Sequence, residues 1–140
     1  MICLDTSVCR DYLGGRAYAE DLPDRLEATF GADAVFPALA PTVVLYELYT
    51  GALRSESPNE TPDAVTTALS WTTPAGLSDA AAREAAEIRA TLLDRGEPIN
   101  AVDYLIAGIA RDRGATVVSA DGDFEKIDDL DVFNLRENNE

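Results

Sequence analysis

Four acidic side chains stand where the surrounding pattern is apolar or small. Asp103 lies in "INAVDYLIAGIA", residues 99–110. Read as a helix, that segment places Ile106 and Ala107 one turn on and Ala110 two turns on, all on the face that carries Asp103. Glu47 has Val43, Val44, Thr50 and Gly51 as its helical neighbours. Asp5 closes the apolar run "MICLD", and Asp121 closes "ATVVSAD". Buried carboxylates are costly unless partnered and otherwise take up a proton. The chain has no histidine, and 11 basic residues face 26 acidic ones. One divalent cation would satisfy several carboxylates together, and an all-oxygen donor set suits Mg²⁺ or Mn²⁺.

Each acid also has a plainer role open to it. Asn100 is a good N-cap, and Asp103, three residues on, can close a capping box and meet the positive end of the helix dipole. Asp5 and Asp121 can form turns after strands. Glu47 can be a half-exposed helix residue, and Asp123 can cap the short helix "FEKI". Four separate accidents are a poorer account than one shared site.

The missing histidine removes whole reaction classes. Ser-His-Asp and Cys-His hydrolases are excluded, as are His-ligated zinc hydrolases. The two cysteines, Cys3 and Cys9, are too few for a four-cysteine zinc site and read as packing residues. What remains is carboxylate, hydroxyl and arginine chemistry.

The elements that must position these acids follow from pattern and punctuation. "MICLD" reads as a buried strand, and "TSVCRDYL" as a helix capped by Thr6 or Ser7 and broken at Gly14-Gly15. A second helix is expected over Ala17–Thr29, ended by Gly31, and "AVFPALA" as an irregular strand with a proline at its edge. Thr42 can cap "VVLYELYTGAL", which carries Glu47, and "RSESPNE" is a polar loop. Thr61-Pro62-Asp63 opens a helix to about Leu69, and "WTTPAG" is a short strand or turn. Ser78 caps a long alanine-rich helix ending near Gly96. Asn100 caps the next, closed by Gly114. "ATVVSAD" and "DVFNL" are the last strands, and "RENNE" is expected to fray. Strands separated by helices imply an α/β fold with a parallel sheet covered on both faces. Asp5, Asp121 and Asp103 then fall at the carboxyl edge of the sheet, where such sheets bind ligands. No repeat, low-complexity tract or linker is seen, so residues 1–140 read as one domain.

"ICLDTSV", "YELYTG", "DYLIAGIA" and "VVSADGDF", in that order, resemble the motifs of PIN-domain ribonucleases. The closest likeness is to the VapC-type toxins of toxin–antitoxin modules. The resemblance runs from residue 2 to about residue 124. It implies a three-layer α/β/α domain with a central parallel sheet of four to five strands. It implies that Asp5, Glu47, Asp103 and Asp121 are the catalytic, metal-holding acids, with Asp123 in a further acidic position that varies among relatives. Thr6 and Ser119 match hydroxyl positions that support the site. The activity implied is Mg²⁺- or Mn²⁺-dependent endoribonuclease cleavage leaving 5′-phosphate and 3′-hydroxyl ends. The partners implied are RNA, a cognate antitoxin and a second copy of the chain. An antitoxin tail would lie in an apolar groove, for which Tyr12, Tyr46 and Tyr49 are candidates, each equally suited to core packing.

The departures from the family pattern are the polar loop near residues 54–62 and the surface charge. The formal net charge is −15, and Lys126 is the only lysine. Such a surface repels RNA at low salt. It suits a very salty cytoplasm, where screening shortens electrostatic reach to about 3 Å at 1 M salt. With the resemblance, this points to a halophilic archaeon. No apolar run approaches the ~20 residues of a membrane span, and no signal peptide is evident; a cytoplasmic protein is expected. Two rival enzymes fit less well. A dehalogenase-like phosphatase needs an aspartate where Ser7 stands, and a receiver domain needs a lysine in a context Lys126 does not have. The rival of another class is a catalytically idle PIN-like module that binds metal or protein.

Overall fold

A computed structural model describes residues 1–138. Five short strands form one parallel sheet: β1 (Ile2–Leu4), β2 (Ala38–Pro41), β3 (Thr73–Ala75), β4 (Thr116–Ser119) and β5 (Val132–Asn134), in the order β3-β2-β1-β4-β5. From the centre the chain winds out through β2 and β3, then returns to build β4 and β5 on the other side of β1. The direction of winding reverses between β1 and β4, which pair Cys3 with Val117 and Leu4 with Val118. β1 is wholly buried, as its unbroken apolar run requires.

Helices flank the sheet: α1 (Thr6–Leu13), α2 (Leu22–Phe30), α3 (Ala32–Val35), α4 (Thr42–Arg54), α5 (Pro62–Ala68), α6 (Asp79–Asp94) and α7 (Ala101–Arg113). This is the α/β architecture expected. The core gathers Ile2, Leu4, Val8, Leu39, Val44, Ile106, Ile109 and Phe124 from all parts of the chain. Cys3 and Cys9 are free and buried within it, and burial pushes both thiols well above the usual range. α7 packs on β1 and β4, and α6 packs on α7. A Cβ on Gly108 of α7 would lie 2.5 Å from the Ala81 carbonyl oxygen and 2.7 Å from the Ala85 Cβ, so glycine is what allows the two helices this approach.

Several boundaries differ from expectation. The helix expected over Ala17–Thr29 is divided into a 3-10 turn, Ala17–Ala19, and α2. Asp21 takes a left-handed conformation (φ 53°) and Pro23, lacking an N–H, sits in the first turn of the new helix. Ala34 and Val35 are helical, and β2 begins only after Pro37. Thr42 is the first residue of α4, with Pro41 at the cap. β4 stops at Ser119, two residues before Asp121. The tail expected to fray is partly tied: Arg136 reaches Asp11 at 3.0 Å and Asn138 N–H reaches the Asn134 carbonyl at 3.2 Å. Its last two residues lie outside the described residues. Among the described residues no helix is long and apolar enough to cross a membrane.

Candidate active site

Asp5 leaves β1 and is itself the N-cap of α1, in place of Thr6 or Ser7. Its backbone is extended (φ −89°, ψ 174°), and its carboxylate accepts the Val8 N–H at 2.9 Å. The side chain is 1% exposed. The Ser7 hydroxyl lies 2.8 and 2.7 Å from its two oxygens, and the Ser119 hydroxyl donates to Oδ2 at 2.6 Å. Burial pushes this carboxyl up to about 6. The bonds from Ser119, Val8 and Ser7 oppose the rise, and the Asp121 charge adds to it.

Asp103 sits in the first turn of α7, where Asn100 caps the helix by accepting the Val102 N–H at 3.0 Å. Its carboxylate gathers with those of Asp121 and Asp123, one oxygen from each lying within 4.8 Å of the others. The capping-box role open to Asp103 is thus set aside for a shared acidic cluster. Burial, first, and then the charges of Asp121, Asp5, Asp123 and Glu47 push Asp103 up to about 7. The other four acids named from the sequence thus all bear electrostatically on Asp103.

Asp121 and Asp123 lie on the loop that leaves β4. Asp121 Oδ1 accepts the Asp123 N–H at 2.9 Å and so orders the turn into the 3-10 helix Asp123–Lys126. Asp123 is inside that helix, and Gly122 takes the cap position expected of it. Lys126 Nζ lies 3.7 Å from Asp123 Oδ1. Glu47 enters from α4, where the Thr6 hydroxyl donates to its Oε1 at 2.5 Å. Thr6 and Ser119 are both buried, and each donates to an acid of the set.

Two residues of this network, Ser7 and Asn134, lie outside the site set read from the sequence. The Ser7 oxygen accepts the Ala120 N–H at 3.0 Å, joining the ends of β1 and β4. Asn134, at the end of β5, donates from Nδ2 to the Asp121 carbonyl at 3.0 Å. The available signals were a second hydroxyl after Asp5 and a polar residue closing an otherwise apolar strand, both common enough to carry little weight alone.

The donor set is a cluster of carboxylates on a chain without histidine, converging from α7 and the β4 loop beside the buried Asp5. That chemistry fits a hard divalent cation such as Mg²⁺ or Mn²⁺. A cleft of about 430 Å³ has Glu47, alone of the five acids, on its wall, with Arg10, Leu13, Leu48, Val65 and Ala68 among its lining. The three tyrosines considered for such a groove are elsewhere. Tyr12 bonds the Ala68 carbonyl and packs on Trp71, Tyr49 meets Thr66, and Tyr46 is exposed.

Comparison with known proteins bears on the family and the fold. The family model of the PIN domain matches residues 2–130. The tRNA(fMet)-specific endonuclease VapC of Shigella flexneri is 33% identical over 90 residues, which cover 64% of this chain and 68% of that protein. DNA-bound VapBC from Salmonella typhimurium superposes with a TM-score of 0.79 at 26% identity, covering 96% of this chain and 99% of that one. VapBC2 from Rickettsia felis, bound to a promoter DNA fragment, gives 0.81 at 24% identity, covering 96% and 98%. With its acids gathered at the carboxyl end of a five-stranded parallel sheet, the chain belongs to the PIN-domain family.

Proposed function

We propose that this protein is a divalent-metal-dependent endoribonuclease, the toxin of a VapBC-like pair, acting as one domain in the cytoplasm of a halophile. The observation that carries the reading is the convergence of Asp103, Asp121 and Asp123 beside the buried Asp5, with the Glu47 charge acting on Asp103. Asp5, Asp103 and Asp121, with Asp123 in support, would hold Mg²⁺ or Mn²⁺. When bound, the ion supplies neutralisation of phosphate charge and a more acidic water.

The chain's own residues do the rest. Ser7, Ser119 and the Val8 N–H hold the Asp5 carboxylate in a single orientation. Thr6 fixes Oε1 of Glu47, leaving Oε2 to orient the attacking water and take its proton. Asp121 is the other carboxylate able to serve as that base. The products are 5′-phosphate and 3′-hydroxyl ends. The two proteins of solved structure described above are VapBC complexes. The cleft beside Glu47 is where an antitoxin segment would lie, its apolar side chains on Leu13, Leu48 and Val65 and a basic side chain toward the acids. The working unit is a homodimer.

The test is cleavage of a structured RNA with Mg²⁺, with Mn²⁺ and with EDTA, in 0.1 M and in molar KCl. Cleavage should require the metal. It should also rise with KCl, because screening relieves repulsion between RNA and a chain of charge −15. Folded protein that binds metal without cutting RNA would favour an idle module. A rate that falls steadily with salt would assign RNA binding to the arginines and remove the halophile reading.

A further inference from the structure

We propose that Asn134, on the last strand, is a positioning residue for the Asp121 loop. The inference rests on the metal-dependent nuclease reading above. Asn134 pairs with Ser119 in the register of β5 on β4, and its side chain is buried. Its Nδ2 donates to the Asp121 carbonyl at 3.0 Å, and its Oδ1 accepts the Glu137 N–H at 3.0 Å. Those partners fix which way the amide faces, since a flip would set donor against donor and acceptor against acceptor.

A count of protons shows why this amide is needed. The Ser119 hydroxyl lies 2.6 Å from Asp5 Oδ2 and 3.3 Å from the Asp121 carbonyl. It has one proton, which the shorter, charge-assisted bond to Asp5 takes. The same oxygen already accepts the Asp121 N–H at 3.1 Å. The Asp121 carbonyl then depends on Asn134 for its donor. With N–H on Ser119 and C=O on Asn134, the main chain of Asp121 is clamped on both sides. The carboxylate is left to face Asp103 and Asp123. Groups that orient a metal-holding carboxylate typically alter affinity or rate by about 10–100-fold when removed.

The experiment compares Asn134→Ala with Phe133→Leu in molar KCl. Phe133 is the preceding residue of the same strand and packs edge-on against Phe30 at 5.0 Å, so its variant loosens β5 without touching Asp121. Mn²⁺ binding is measured by electron paramagnetic resonance of the free ion, alongside kcat, KM and melting temperature. Asn134→Ala is expected to weaken Mn²⁺ binding roughly tenfold and to lower kcat with little change in KM. Raising Mn²⁺ should recover part of the rate. Phe133→Leu should melt earlier yet bind Mn²⁺ and turn over as the wild type does. Wild-type Mn²⁺ affinity and kcat in Asn134→Ala, or the same losses in Phe133→Leu, would overturn the assignment. A wild-type protein that binds no Mn²⁺ would instead overturn the metal reading beneath it.

Discussion

On the flank formed by α6 and α7, acids meet cations. Glu84 lies 2.7 Å from Arg111, Asp79 lies 3.1 Å from Arg83, and Asp128 is paired with Arg95. At the carboxyl end of the sheet, Asp5 is met by hydroxyls and an amide N–H, Glu47 by a hydroxyl, and Asp103 by other carboxylates. Lys126, on Asp123, is the one cation within 4 Å of these acids among the described residues. Both regions are rich in acid. Acidity therefore does not mark a site in this molecule. What marks it is which charges the fold leaves without a counter-charge, and how firmly neutral donors hold them in place.

The largest effect that could break this contrast is on catalysis. Asp5→Asn, Asp103→Asn and Asp121→Asn should each reduce RNA cleavage by on the order of 10²-fold or more while the protein still melts cooperatively. Glu84→Gln should leave the rate where it was. Initial rates at saturating Mn²⁺ decide it, and wild-type activity in folded Asp5→Asn would dissolve the distinction between the two regions.

A smaller effect sharpens the contrast through pH. Asp5 and Asp103 are raised from 3.8 to about 6 and about 7 in the folded protein. A raised carboxyl binds its proton more tightly folded than unfolded. Its contribution is fully present below pH 4 and is lost as pH rises through 6 and 7. Metal-free protein should therefore melt at a lower temperature at pH 8 than at pH 5. Divalent metal binds the deprotonated acids, so its stabilisation should be greater at pH 8. A hundredfold excess over Kd gives about 2.7 kcal/mol, or roughly 8 °C in a chain of this size. Melts in Mg²⁺ and in EDTA at equal ionic strength and high KCl provide the test. Equal metal shifts at the two pH values would contradict it.

The smallest effect lies on the paired flank. Glu84→Gln replaces a part-buried ion pair with a hydrogen bond from the still-charged Arg111 to a neutral amide and should cost about 1 kcal/mol, seen as a melting point roughly 3 °C lower. Added Mn²⁺ should shift that variant by as much as it shifts the wild type. A loss of metal response would mean that the two regions are coupled.

Much of this was readable before any coordinates. Asp103 could be seen on an apolar helix face, and the caps Asn100, Thr61 and Ser78 appear where they were expected. Strong punctuation made this possible: a polar cap, a proline in the first turn, a glycine past the end. Boundaries failed where two signals competed. Asp5 was the better cap because a carboxylate one residue upstream of two hydroxyls reaches the N–H first. Pro23 divided a helix whose apolar spacing ran through it. The contacts of Ser7 and Asn134 could not be read, because they join segments more than 100 residues apart or bond to backbone, and neither leaves a local pattern.

The pairing of β1 with β4 also governs when the protein can become dangerous to its maker. Leu4 finds its partner only at Val118, and Asp5 finds Ser119. Contacts of such long range form late in folding. A ribosome that has released only the first hundred residues has delivered Asp5 and Glu47 without Asp103, Asp121 or Ser119. A chain that stops short of Asp103 therefore lacks most of the acids of the site. Synthesis itself supplies an interval before the acids meet, in which an inhibitor already present in the cell can arrive.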